Sequence, residues 1–136
     1  MLRYLLDTNI CIYIAKKKPM NVLHKFEQIE MGEMGMSLIT YGELIFGAQK
    51  SHAPKQAIFI LEELANLIPP ISLSTETGRQ YGEIRNYLEK KGTPIGNNDL
   101  WIAAHALTLG VTLVTNNVKE FSRVQKLKVE NWVTHL

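Results

Sequence analysis

Short apolar runs alternate along the chain with longer segments in which apolar residues recur every three or four positions. Short apolar runs bounded by polar residues predict buried strands, whereas the longer spacing predicts helices that pack by one face. We predict strands over residues 4–6, 36–39, 71–73 and 111–115, and a last edge strand at Val129. Alternating strands and helices predict an α/β fold with a mostly parallel sheet that is covered on both faces.

Capping and turn residues bound the predicted helices. Helices are predicted over residues 10–15, from Pro19 to about residue 30, from Pro54 to the proline pair at 69–70, and over 118–121. Gly32 and Gly35 are expected to break the chain. The predicted N-caps are Thr40, Ser74 and either Asn97 or Asn98, and the predicted helix ends are Gly92 and Gly110.

Composition narrows the class of protein. The chain has 136 residues, 46% hydrophobic and 21% charged, which predicts one globular domain over residues 1–136. The single cysteine excludes an internal disulfide and fits a reducing cytoplasm. Asp7 interrupts any signal-peptide core, and no apolar run approaches the length of a membrane span. The net charge of +2 neither indicates nor excludes a nucleic-acid ligand.

Four acidic residues fall where a strand ends or a helix begins. Asp7 follows the first strand, Glu43 lies in the first predicted turn after the second, Asp99 lies in the first turn of the helix near Gly96, and Glu120 follows the fourth strand. The carboxyl ends of parallel strands form the ligand-binding edge of such sheets, so we expect these side chains to share one crevice.

Carboxylates that share a crevice repel one another. At a separation of 4 Å and an effective dielectric of 20, two carboxylates repel by about 4 kcal/mol. A divalent cation or a protonated acid relieves that cost, and oxygen-only ligands suit Mg²⁺ or Mn²⁺. Such ions activate water and stabilise in-line displacement at phosphorus. The pattern therefore predicts phosphodiester hydrolysis or phosphoryl transfer.

A structural explanation exists for most of these acids. Thr40 and Glu43 have the spacing of a capping box, and Asp99 could simply complement a helix dipole. Glu120 could be a solvated residue of a short helix. Asp7 is harder to explain in this way because it ends an apolar strand. The functional interpretation depends on all four residues converging on one edge.

Four motifs, in order along the chain, resemble those of PIN-domain ribonucleases. They are LLDTNI at 5–10, TYGEL followed by GA at 40–48, PIGNNDLWIAAHA at 94–106 and VTNNVKEF at 114–121. They span nearly the whole chain and together are highly specific. They also resemble the VapC toxins of bacterial VapBC toxin–antitoxin pairs.

The resemblance implies a three-layer α/β/α fold and a metal-dependent endoribonuclease. It assigns metal binding by Mg²⁺ or Mn²⁺ to Asp7, Glu43 and Asp99. Many PIN domains carry a fourth acid directly after strand four, where this chain has Asn116 and Asn117. Glu120, one turn later, is the candidate that takes its place as a catalytic residue.

Polar neighbours of these acids are candidates for supporting roles. Hydroxyl and amide groups next to the motif acids can hydrogen-bond carboxylates or phosphate, although turn chemistry is an alternative role for them. The supporting candidates are Thr8, Asn9, Thr115, Asn116 and Asn117. Asn98 is assigned to the helix cap and His105 to the core. Tyr41 and Trp101 are candidates for stacking an RNA base, with core packing as the alternative.

The resemblance also implies partners. It implies a homodimer in the bacterial cytoplasm and an antitoxin that blocks the site. Partner helices of this kind occupy apolar grooves, and the large apolar residues available for one are Ile45, Phe46, Ile58, Phe59 and Leu61. The implied substrate is structured RNA, with a transfer RNA anticodon stem-loop, such as that of the initiator, as the leading candidate.

Three other classes of protein share part of this pattern. A receiver-type signalling module needs an acid pair after its first strand, and this chain has Asp7 alone. A HAD-like phosphotransferase begins with Asp-x-Asp, and the third position here is Asn9. A degenerate, binding-only domain whose acids merely cap helices stays open as the alternative to a nuclease.

Overall fold

The computed structural model describes residues 1–133, in which five strands and seven helices follow one another. The strands are β1 (Tyr4–Leu6), β2 (Met34–Ser37), β3 (Pro70–Ile71), β4 (Thr112–Val114) and β5 (Val129–Glu130). The helices are α1 (Thr8–Lys16), α2 (Met20–Gln28), α3 (Leu38–Gln49), α4 (Pro54–Leu67), α5 (Thr75–Lys91), α6 (Asn97–Leu109) and α7 (Val118–Phe121). None of these helices is long and apolar enough to cross a membrane.

The five strands form one parallel sheet in the order β3-β2-β1-β4-β5. Strand β1 lies at the centre, where Tyr4 pairs with Met34 of β2 and with Thr112 of β4. All three residues of β1 are buried, as expected for a central strand covered on both faces. The edge position of β3 accommodates Pro70, which has no backbone N–H to donate.

Helices cover both faces of the sheet and form two cores. Successive strand residues point to opposite faces, so Leu6 packs with α1, α2, α3 and α4, while Leu5 packs with α5 and α6. The first core contains Ile10 and Val22, and the second contains Leu88. This three-layer α/β/α arrangement confirms the predicted fold class.

The second strand and the helix after it begin earlier than predicted. Gly35 does not break the chain but lies inside β2. A glycine fits this position because a Cβ there would come within 2.5 Å of the Ile71 side chain of β3. Strand β2 ends at Ser37, whose hydroxyl accepts the N–H of Ile39 and caps α3. The prediction of Thr40 as N-cap was therefore wrong, and Glu43 lies in the second turn of α3 rather than the first.

Two further boundaries differ from the prediction. The N-cap residue of α6 is Gly96, and neither Asn97 nor Asn98 caps the helix, because both lie inside its first turn. Strand β3 covers Pro70–Ile71 rather than residues 71–73. The predicted ends of α5 and α6 at Gly92 and Gly110 are confirmed, since both glycines adopt the left-handed conformation there.

Candidate active site

Asp7 is fixed by two hydrogen bonds at the point where β1 ends and α1 begins. Its side chain is 5% exposed and caps α1, with Oδ1 accepting the Thr8 N–H at 2.7 Å. Its Oδ2 accepts the Thr115 hydroxyl at 2.8 Å. Burial raises the pKa of Asp7, against the lowering by these two bonds, and nearby Glu43 raises it further. A carboxylate held in this way has one defined orientation at the carboxyl edge of the sheet.

Glu43 joins three helices at the same edge. The Thr8 hydroxyl of α1 donates to Glu43 Oε1 and lies 3.3 Å from the Thr40 hydroxyl of α3. The Asn98 side-chain amide of α6 donates to Glu43 Oε2 at 3.1 Å. Both carboxylate oxygens are therefore held, although Glu43 is only half-buried. This arrangement is not the predicted capping box.

Asp99 is the carboxyl group most affected by its neighbours. It lies in the first turn of α6, and its pKa is raised from 3.8 to about 7. Partial burial is the largest cause, followed by the charge of Asp7 and by a hydrogen bond and charge from Glu120, with Glu43 contributing last. The carboxyl groups of Asp7, Glu120 and Glu43 are thus all near enough to Asp99 to raise its pKa.

Glu120 is held by the loop that follows β4. The Asn117 side-chain amide donates to Glu120 Oε2 at 3.1 Å, and the Asn117 backbone N–H donates to the Thr115 hydroxyl at 2.9 Å. That same hydroxyl donates to Asp7. Thr115 therefore connects the loop that orients Glu120 to the carboxylate at the end of β1.

The four carboxyl groups are near neighbours without forming a closed ligand set. Among residues 1–133, no group of three or more His, Cys, Asp or Glu side chains is arranged to hold a metal ion by itself. Oxygen donors at this looser spacing fit a hydrated Mg²⁺ or Mn²⁺, because Mg²⁺ keeps several water ligands and takes only one or two protein carboxylates. The donor chemistry of the crevice is therefore compatible with such an ion.

The remaining predicted residues divide between the crevice and its surroundings. Asn9 is exposed in the first turn of α1. The Asn116 side-chain amide donates to the Tyr13 hydroxyl of α1 at 3.5 Å and accepts from Asn131 at 3.4 Å, so its bonds are with α1 and the segment after β5 rather than with the acids. Of the supporting candidates, Thr8, Thr115 and Asn117 touch the acids directly.

The two aromatic candidates have different surroundings. Tyr41 is half-buried against the core formed with α1 and α4. Trp101 stacks on Tyr81 of α5, with ring centroids 4.0 Å apart and planes inclined by 14°. One face of Trp101 is thus occupied by the protein itself. His105 is buried, as predicted, and its Nδ1 lies 2.8 Å from the Ser37 hydroxyl.

Sequence reasoning missed three residues of this region. Asn98 and Thr40 were assigned to helix caps, but their side chains instead contact the Glu43 carboxylate and the Thr8 hydroxyl. Tyr81 of α5 was not among the residues predicted for this site. A usable signal for Tyr81 was its spacing of four residues from Arg85, because such pairs meet on a helix surface.

Comparison with known proteins identifies the family of this chain. The model of the PIN domain family matches residues 4–127. The chain is 43% identical to ribonuclease VapC2 of Haemophilus influenzae, over 98% of this chain and 100% of that protein. It is 39% identical to the tRNA(fMet)-specific endonuclease VapC of Salmonella typhimurium, over 97% of this chain and 99% of that protein.

Solved structures give the same result. The crystal structure of DNA-bound VapBC from Salmonella typhimurium superposes with a TM-score of 0.92 at 38% identity, covering 98% of this chain and 100% of that one. The structure of VapBC-1 from nontypeable Haemophilus influenzae has a TM-score of 0.89 at 42% identity, covering 96% and 98%. The chain therefore belongs to the PIN-domain family and, within it, to the VapC proteins.

Proposed function

We propose that this protein is the toxin of a type II toxin–antitoxin pair and acts as a metal-dependent endoribonuclease. The observation that carries this proposal is the convergence of Asp7, Glu43, Asp99 and Glu120 at one edge of the sheet, where the first two and Glu120 each raise the pKa of Asp99. Acids in one crevice repel each other, and a divalent cation offsets that cost. The names of the VapC relatives support ribonuclease activity.

The residues have separate roles in this proposal. Asp7 and Asp99 hold one Mg²⁺ or Mn²⁺ directly, and Glu43 completes the ligand set or binds through water. When bound, the cation activates water and stabilises the charge that develops in an in-line phosphodiester displacement. Thr115 and the Thr8 backbone N–H keep the Asp7 carboxylate aimed into the crevice. The Thr8 hydroxyl does the same for Glu43.

Glu120 takes the place of the acid that directly follows strand four in many PIN domains. Its carboxylate is close enough to Asp99 for a hydrogen bond between the two. Asn117, at the position of the missing acid, donates to Glu120 and so positions it. We propose that Glu120 would hold a second divalent cation, directly or through a water molecule.

The proposed substrate is a transfer RNA. A relative at 39% identity is named as a tRNA(fMet)-specific endonuclease, which makes the initiator transfer RNA the first substrate to test. Its anticodon stem-loop presents unpaired bases and a bent backbone, which are the features that proteins recognise in structured RNA. The exposed Asn9 side chain, on the first turn of α1, is placed to contact phosphate.

The proposed partner is a VapB-type antitoxin, with a homodimer of this chain as the toxin unit in the bacterial cytoplasm. Solved relatives are VapBC complexes. Helices α1, α3 and α4 enclose a largely apolar groove of about 440 Å³ that includes Leu44, Ile60 and Leu61. Glu43 lies at this groove as well as at the crevice, so a helix in the groove reaches the acids.

Cleavage of a defined substrate tests the proposed function. Antitoxin-free protein would be incubated with initiator and elongator methionine transfer RNAs in Mg²⁺, Mn²⁺ or EDTA. We expect discrete cleavage of the initiator with either cation and none in EDTA. Asp7→Asn and Asp99→Asn should each reduce the rate by about a hundredfold or more, since each removes a group that stabilises the transition state electrostatically.

The matched control is Glu83→Gln, which removes an acid from the exposed face of α5 and should cut at the wild-type rate. Circular dichroism would confirm that every variant is folded. Cleavage that survives EDTA and both Asp substitutions would overturn the metal-dependent mechanism. Intact RNA with folded wild-type protein would instead favour the binding-only alternative.

A further inference from the structure

A second concave site lies beside the carboxylate crevice. It is a cavity of about 370 Å³ between α5 and the loop that leads into α6. Its floor is apolar and consists of Leu88, Ile95 and Leu100, and its rim carries the polar side chains of Arg85, Glu89 and Asn97. An apolar floor with a few polar groups at the rim is the usual composition of a small-ligand site.

The cavity and the crevice share the first turn of α6. Asn97 borders the cavity, whereas the next residue, Asn98, donates to Glu43 and Asp99 faces the other acids. The cavity and the crevice are therefore adjacent along one helical turn. The site is thus positioned for the part of the substrate that flanks the reacting phosphate.

Arg85 is oriented at the rim by a network of hydrogen bonds. Its Nε donates to Glu89 at 2.8 Å, and its Nη1 donates to the Tyr81 hydroxyl at 2.9 Å. The Tyr81 hydroxyl in turn donates to Asn97 Oδ1, and the Tyr81 ring is stacked on Trp101. A guanidinium has five N–H donors, and these bonds use two of them. The others can bind a phosphate without any rearrangement of the network.

We propose that this cavity binds one nucleotide of the RNA next to the scissile phosphate, with its base on the apolar floor and its phosphate on Arg85. This inference rests on the proposed function, since it assigns a flanking subsite to the same crevice. The apolar floor complements the face of a planar base, and the cationic side chain at the rim complements the charged backbone. Glu89 opposes the interaction, because it repels the phosphate and competes for the same guanidinium.

The chain contains a matched pair of residues for the test. Arg79 and Glu76, on the same helix, form an ion pair of 3.4 Å that is as exposed as the pair of Arg85 and Glu89 but does not line the cavity. The four variants Arg85→Gln, Glu89→Gln, Arg79→Gln and Glu76→Gln therefore change the same charges on one helix. Only the first two change them at the proposed subsite.

Steady-state cleavage of the transfer RNA should separate the two pairs. We expect Arg85→Gln to raise KM about fivefold with kcat within about twofold, as for loss of one exposed phosphate contact. Its slope of log KM against log salt should fall by about 0.7, the value for one contact to a single strand. Glu89→Gln should lower KM, and the Arg79 and Glu76 variants should behave as wild type. Equal effects of Arg85→Gln and Arg79→Gln would overturn the subsite.

Substrates with single neutral methylphosphonate linkages give a second measurement. In the wild type, neutralising one phosphate beside the cleavage position should raise KM, and the same change should have no effect in Arg85→Gln. A retained effect in that variant would contradict the inference. If the wild type cleaves no RNA, the proposed function fails. In that case fluorescence anisotropy would measure the affinity of the same RNAs for Arg85→Gln and Arg79→Gln. A weaker affinity of Arg85→Gln supports the subsite, and equal affinities contradict it.

Discussion

At the scale of single residues, one buried hydroxyl organises much of the candidate site. Thr115 Oγ1 donates to Asp7 and accepts from the backbone of Asn117, whose side chain holds Glu120. Thr115 is fully buried, so neither bond is exchanged with water. A hydroxyl is suited to this position because it can donate and accept at the same time. The orientation of two carboxylates thus depends on one side chain.

The raised pKa of Asp99 predicts how stability changes with pH. Between pH 3.8 and about 7 the folded state binds a proton at Asp99 that the unfolded state has released, so this group lowers stability as pH rises. We expect Asp99→Asn to raise the free energy of unfolding at pH 8 by about 1–2 kcal/mol, a figure discounted because the group is half-exposed. Near pH 4 the two proteins should be equally stable.

Urea unfolding in EDTA at pH 4 and pH 8 measures this difference, with Glu83→Gln as the control that should change neither value. A gain of the same size at both pH values would show that the ionisation of Asp99 is not the cause. Added Mg²⁺ should stabilise the wild type more than Asp99→Asn, since binding to the folded state alone increases stability.

The positions of the acids and of their partners Thr8, Thr115 and Asn117 could be predicted from sequence, whereas the contacts of Thr40 and Asn98 could not. Asp7 and Glu120 were predicted from where apolar strands end, and Asp99 from where the helix near Gly96 begins. The contacts of Thr40 and Asn98 depend on where α3 and α6 begin. The predicted N-caps of these two helices were wrong by one to three positions, and a shift of one position rotates each side chain about the helix axis by about 100°.

At the scale of secondary-structure elements, a buried hydrogen bond connects the two helices that carry Glu43 and Asp99. His105 of α6 lies with its Nδ1 2.8 Å from the hydroxyl of Ser37, which caps α3. Burial lowers the pKa of His105, which favours the neutral ring. The bond holds the start of α3 against α6.

Removal of that cap should loosen the start of α3. We expect Ser37→Ala to reduce the free energy of unfolding by about 1–3 kcal/mol, because it removes a cap and leaves a buried ring nitrogen without its partner. The double variant Ser37→Ala/His105→Leu should lose less than the sum of the single changes. Chemical denaturation of the three variants provides the values, and strict additivity would contradict the coupling.

Element boundaries show why local patterns were insufficient for β2. A glycine inside a short apolar segment usually indicates a break, but Gly35 is a strand residue because the Ile71 side chain of the neighbouring strand lies over it. That neighbour is 36 positions away in the sequence, so no local pattern could reveal it. By contrast, the central strand at Leu5 and the end of α6 at Gly110 were predictable, because an apolar run and a glycine that can adopt the left-handed conformation are visible in the local sequence.

At the scale of the whole molecule, the exposed apolar residues are concentrated on α3 and α4. Phe46 is 62% exposed, Phe59 60% and Ile60 43%. Large exposed apolar patches mark protein-binding surfaces more often than free surface. Of these side chains, Ile60 lines the groove that includes Glu43, which is the surface proposed for the antitoxin.

A charged side chain in the groove should weaken antitoxin binding. We expect Ile60→Glu to weaken the affinity for a VapB-type antitoxin by tenfold or more, about 1.4 kcal/mol, while RNA cleavage by the free toxin stays unchanged. The matched control is Leu67→Glu, also on an exposed part of α4 but outside the groove. Titration calorimetry gives both affinities, and equal losses in the two variants would move the partner to another surface.

Glu43 belongs to two sites at once, since it lies at the helix groove and its carboxylate faces the crevice acids. Ligands that share a residue are thermodynamically linked, and the factor by which one changes the affinity of the other is the same in both directions. An antitoxin helix that engages Glu43 must therefore weaken cation binding by the same factor by which the cation weakens the antitoxin. The cellular supply of divalent cations would then set, through a single carboxylate, how firmly the toxin is restrained.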